Sequence, residues 1–190
     1  FANCSEGQHI PASAAADALP LIRADRNYQI AAANFYAGNF DETQKLFTAI
    51  SSDNASPWRA MAPYLVARTL IRKSSLGPKE GRDAALAGAE DQLHQILKDQ
   101  NLASSHQAAA RLLNLVRVRL HPLDKLHELA HSLLKQNQDK TLKQDLWDYT
   151  VLLDDFVGDD DSGVRKELPT SLVQDDLTDW LVTIQSASAG

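Results

Sequence analysis

Along most of the chain the apolar positions recur every three or four residues, which is the period of an α-helix with one buried face. From Asp25, "DRNYQIAAANFYAG" reads as a helix with Asp25 as N-cap and Gly38 as its stop. "NFDETQKLFTAI" restarts at once, with Asp41 and Glu42 in the first turn where the helix dipole favours acid. "SPWRAMAPYLVARTLIRK" is expected to start at Ser56 as N-cap with Pro57 at the first helical position and a kink at Pro63. Ser74–Gly81 reads as a loop, and "RDAALAGAEDQLHQILKD" as a helix with Leu86, Ala89, Leu93, Ile96 and Leu97 on one face. "SSHQAAARLLNLVRVRL", "LDKLHELAHSLLKQ", "TLKQDLWDYTVLLDDFV" and "SLVQDDLTDWLVTIQ" complete about eight helices, and no segment shows the alternation of a strand. The fold class is all-α. Residues 1–24 are expected to form an extended arm, 25–185 one helical domain, and 186–190 a frayed tail.

The stretch "ANFYAGNFDETQKLFTAISSD" resembles a tetratricopeptide repeat, in which two helices interlock through small residues flanked by large ones. Counted back from Gly38, Ala31 takes the small position of the first helix and Ile30 the large one before it. Phe47 takes the aromatic position of the second helix, and Thr43 stands where the family usually has Ala. A weaker copy begins with Trp58, Met61, Ala62 and Leu65 and resumes at Ala89 and Leu93. The likeness covers about residues 27–97. Two departures stand out: Asn27 replaces the expected Trp, and the Ser74–Gly81 insertion breaks the strict repeat length. The resemblance implies a right-handed α-solenoid of about four antiparallel helix pairs, against an irregular helical bundle as the alternative. It also implies that first helices line a concave groove that docks a peptide or a partner helix. The residues that helical phase offers to that groove are Asn27, Asn34, Arg59, Arg68, Arg72 and Asn114.

Composition narrows the function classes. The 190 residues carry a formal net charge of −6, which disfavours a sequence-independent grip on nucleic acid or an anionic membrane. No apolar run approaches the roughly 20 residues that span a bilayer. A lone cysteine, Cys4, gives no internal disulfide and no cysteine-built zinc site. The first residue is Phe1, as expected of a processed chain or a segment cut from a longer protein. A bacterial protein exported to the periplasm or cell surface is the expected setting.

One motif carries chemistry. His127-Glu128-Leu129-Ala130-His131 matches H-E-x-x-H, where two histidines on one helix face bind Zn²⁺ and the Glu serves as base on the metal-bound water. No third ligand follows at the spacing of the extended motif, and the only later Glu is Glu167, close to a proline and beyond an acidic loop. Leu123, Leu126, Ala130, Leu133 and Leu134 centre the apolar stripe, so His127 and His131 fall on its border, with Asp124 in reach of His127. The acidic loop at 158–163 fails the calcium-loop pattern, because from Asp159 the sixth residue is Val164 and the twelfth Thr170. Arg111, Arg117 and Arg119 offer a face for an acidic peptide, or edge cations on a nearly buried helix. The sequence therefore reads first as a non-catalytic protein-binding or scaffolding module with no cofactor and no nucleic-acid or membrane partner. The alternatives are a zinc hydrolase using His127, Glu128 and His131, and a structural segment of a larger assembly.

Overall fold

A computed structural model describes residues 9–135, 141–158 and 169–188. Among them are eight α-helices and no strand: α1 Pro20–Ala37, α2 Phe40–Ser52, α3 Ala62–Leu76, α4 Arg82–Lys98, α5 His106–Leu120, α6 Pro122–Leu133, α7 Leu142–Val157 and α8 Asp176–Ser188. The chain divides into two compact units, Phe1–Val116 and Arg117–Gly190, where one repeat domain over 25–185 is expected from the sequence.

In the first unit, α1 packs on α2, α2 on α3, and α3 on α4. The α1–α2 turn is built as the Gly38 signal requires. Gly38 adopts φ 82°, its N–H reaches the Phe35 carbonyl, and the Asn39 N–H reaches that of Asn34. Ala31 is fully buried, Phe47 is buried against the edge of Tyr28, and Thr43 occupies its small-residue position by donating its hydroxyl to the Asn39 carbonyl at 2.9 Å. Ala62, Ala67, Ala89, Leu93 and Ile96 carry the core on through α3 and α4.

In the first unit the starts of α1 and α3 differ from expectation, each for a local reason. α1 begins at Pro20, five residues earlier than Asp25, because Pro20 fits a first-turn position where its missing N–H costs nothing. Asp25 is thereby freed from capping, and its carboxylate accepts a hydrogen bond from the Trp58 indole at 2.8 Å. Trp58 in turn stacks on Tyr28, with centroids 4.6 Å apart. α3 begins at Ala62, after a run of turns in which Ser56 Oγ accepts from the Trp58 N–H. Pro63 therefore lies in the first turn and does not kink the helix. Residues 12–19 ahead of α1 carry no helix and are held to it by Arg23 and Arg26 donating to the carbonyls of Ala16 and Ala12.

In the second unit, α6 packs on α7 and α8 around Leu126, Leu129, Ala130, Tyr149, Leu152, Leu153, Leu172 and Val182. A short 3₁₀ turn, Thr170–Val173, precedes α8, which runs to Ser188 through residues expected to fray. Cys4, Glu167 and the acidic stretch Asp159–Gly163 lie outside the described residues.

The Gly38 turn can be probed directly. Nothing lies within 4 Å of a Cβ built there, so Gly38→Ala meets only the left-handed backbone penalty. Urea unfolding should show a loss of about 1 kcal/mol for Gly38→Ala and less for Gly38→Asn, which tolerates that conformation better.

Candidate functional site

Two arrangements place reactive or ligand-capable side chains together. The first lies on α1 and α3 of the first unit. Phe35 and Tyr36 stand in the last turn of α1, their rings edge-to-face at 5.3 Å. Arg68 and Arg72, one turn apart on α3, bring their guanidinium carbons to 5.8 and 5.0 Å from the Phe35 centroid, and Arg72 lies 6.0 Å from Tyr36. Among the described residues no carboxylate pairs with either arginine, and the buried Nε of Arg72 has no hydrogen-bond partner. Beneath Arg68 is a cleft of about 60 Å³ lined by Tyr28, Ala32, Phe35, Tyr36, Phe47 and Leu65. Tyr36 is 60% exposed, so the rim of this cleft is aromatic and open to solvent. Nearby Lys73 is already committed to Asp41, whose carboxyl is held below its ordinary range by the hydrogen bond and charge of that lysine.

Of the six groove residues expected from helical phase, Arg68 and Arg72 meet over one ring, and none of the other four lines that cleft. Asn34 is a correction. It is buried, donates to the Ile30 carbonyl at 2.9 Å, and accepts from Asn39 Nδ2 at 3.0 Å, so it locks the α1–α2 turn and has no surface to offer. Asn27 is exposed and lines a different cleft, with Ala24, Leu46, Ala49, Ile50, Asp53 and Ser56. Arg59 donates from Nε to the Ser51 carbonyl at 3.3 Å, tying its loop to the end of α2. Asn114 is half-buried on α5. The aromatic members Phe35 and Tyr36 were not singled out in the sequence. Their position just before Gly38 was the available signal.

The second arrangement surrounds the H-E-x-x-H helix, α6. His127 Nδ1 lies 2.6 Å from Asp175 Oδ2, a partner 48 residues away rather than the expected Asp124. Asp175 is only 5% exposed and caps α8, accepting the Thr178 backbone N–H at 2.8 Å. The Thr178 hydroxyl donates to the same carboxylate, which leaves its oxygen to accept from Tyr149 Oη at 2.9 Å. The chain of donors thus runs from Tyr149 through Thr178 to Asp175, and from His127 to Asp175. Burial alone raises the Asp175 pKa. The hydrogen bonds from Thr178 and His127, with the His127 charge, outweigh it and hold the carboxyl below its ordinary value. Burial also raises the Tyr149 phenol, and the nearby Asp175 charge adds to the rise, so tyrosine stays a donor.

Glu128, the base of the motif, ion-pairs with Lys125 at 2.8 Å and Arg117 at 2.6 Å. Its burial raises the pKa, but the hydrogen bonds and charges of Lys125 and Arg117 bring it below the ordinary glutamate value. Arg117 is thus engaged within the protein rather than presented to a peptide. His131 is exposed, and the buried Nε2 of His127 meets no partner among the described residues. Among those residues no three His, Cys, Asp or Glu side chains stand close enough to hold one metal ion. No helix among them is long and apolar enough to cross a membrane. Comparison with family models, with curated proteins and with solved structures finds no match for the chain.

The Asp175 node has a pH signature. A carboxyl depressed in the folded state contributes stability that is present above the unfolded pKa and lost as pH falls through the folded one. Wild type should therefore lose stability progressively below about pH 4. Asp175→Ala should cost about 2–3 kcal/mol near neutrality, by removing a cap and a buried charge-assisted bond, and should flatten that acid limb in chemical denaturation.

Proposed function

We propose that this protein is a non-catalytic protein-interaction module, a tetratricopeptide-like helical repeat that docks a peptide through the face formed by α1 and α3. The observation that carries this reading is the pair Arg68 and Arg72, free of carboxylate partners among the described residues and stacked over Phe35 at the mouth of an apolar cleft. A guanidinium on an aromatic face keeps its outward N–H groups for a planar acceptor, and a carboxylate matches that fork. The cleft below admits one small apolar side chain. The ligand is then an acidic peptide with an apolar residue beside its carboxylate. The buried small residues Ala31, Thr43, Ala62 and Ala89 support the repeat-like packing.

The zinc-hydrolase reading draws no comparable support. In that pattern Glu128 must be available to a metal-bound water, whereas here two cations hold it.

A displayed library of random peptides, selected on the wild-type protein, is expected to return acidic sequences with a neighbouring apolar residue. Arg68→Glu should abolish their binding while changing thermal stability little, since Arg68 is exposed. Arg72→Glu should also abolish binding, and at some loss of stability because its Nε is buried. Selected peptides that bind Arg68→Glu unchanged would count against the reading. Elemental analysis of untagged protein should find no stoichiometric zinc. Zinc near one per chain, with hydrolytic activity lost in Glu128→Gln, would replace this proposal with a metalloenzyme.

A further inference from the structure

We infer that the outer face of α7, in the second unit, is a docking surface for a basic amphipathic helix of a partner protein. α7 turns Tyr149, Leu152 and Leu153 into the core of its unit. On its other side Leu146, Trp147 and Val151 are 51%, 67% and 49% exposed. At 100° per residue, Trp147, Thr150, Val151 and Asp154 share one side of the helix, with Leu146 at one margin and Asp148 and Asp155 at the other. A surface depression lined by Lys143, Gln144, Leu146, Trp147 and Thr150 lies on this face. An amphipathic helix buries its apolar stripe, yet α7 carries apolar side chains on both sides. Tryptophan is among the residues most enriched at interface hot spots, and the exposed Leu146 and Val151 beside it extend the apolar patch.

Charge selects the occupant. The second unit holds eight Lys and Arg against fourteen Asp and Glu, so the whole formal charge of −6 resides in it and the first unit is neutral. On α7, Asp148, Asp154 and Asp155 border or share this face, while Asp145 lies on the core side and accepts the Ser132 hydroxyl; Lys143 is the helix's single cation. A partner that seats leucine-like side chains around Trp147 must therefore bring its flanking charges past carboxylates, which lysine and arginine can do and glutamate cannot. The inference is independent of the peptide face on α1 and α3.

The test uses fluorescence anisotropy of a labelled helical peptide of alternating Leu and Lys character, about 18 residues or five turns long. Its Leu/Glu counterpart serves as the control. The inference expects saturable binding of the Leu/Lys peptide alone. Leu146→Ser with Trp147→Ser should weaken it at least about tenfold, as expected for loss of a hot-spot aromatic. Asp154→Lys with Asp155→Lys should weaken it as well, while circular dichroism shows that both variants stay helical. Equal binding of the Leu/Glu peptide, or affinity unchanged by the Leu146 and Trp147 substitutions, would overturn it. Sedimentation showing wild-type dimers that Trp147→Ser dissociates would also overturn it, by assigning the face to a second copy of this chain.

Discussion

Helix axes approach closely where small side chains stand between them, and in the first unit Ala31, Ala62, Ala67 and Ala89, on helices packed in succession, are at zero exposure. Any larger residue there would push α1, α3 or α4 outward and open the packing, since interiors at native density have little slack. The proposed recognition face depends on this spacing. Phe35 on α1 lies within cation–π reach of Arg68 and Arg72 on α3 because the helices are drawn together below it. The Trp58 indole, bonded to Asp25 and stacked on Tyr28, fixes the loop leading to α3 against α1 from the other end. Two guanidiniums are thus held in place before any ligand arrives, which reduces the ordering cost of binding.

The second unit is organised by charge rather than by small residues. Asp175 caps α8, anchors His127 of α6 and, through Thr178, receives Tyr149 of α7, so one buried carboxylate ties three helices. Removing it would leave several donors without acceptors at once, and such networks fail as a unit. Both named side chains of the H-E-x-x-H helix thus make polar contacts within their own unit. His127 orients a carboxylate, and Glu128 neutralises Lys125, a lysine only 6% exposed. Neither role involves the outer side of α7, whose exposed Trp147 contributes nothing to this core.

Much of the helical architecture was legible because it is local. Gly38 announced a left-handed turn, and of the positions that the tetratricopeptide likeness assigned around it, Ala31, Thr43 and Phe47 are buried and Ile30 is half-buried. Where reading failed, the competing partner was distant in sequence. Asp25 looked like a cap because it precedes an apolar stripe, but its acceptor role is set by Trp58, 33 residues on. Asn34 looked available on phase alone, yet the turn it closes draws it inward to Ile30 and Asn39. His127 showed a border position but not Asp175, since nothing local encodes a contact over 48 residues. Arg68 and Arg72 were named from helical phase. The ring that gives them meaning belongs to another helix, and only the folded chain brings it beneath them.

The central claim is that Arg68 and Arg72 form a poised carboxylate receptor over Phe35. Its most direct test is an NMR titration that follows the arginine Nε–H and Phe35 ring signals while a short peptide of Glu and Leu is added. The account predicts that the Arg72 and Arg68 Nε–H resonances and the Phe35 ring protons shift together along one saturable curve. A titration that leaves these three unmoved, while signals elsewhere shift or none do, would contradict it.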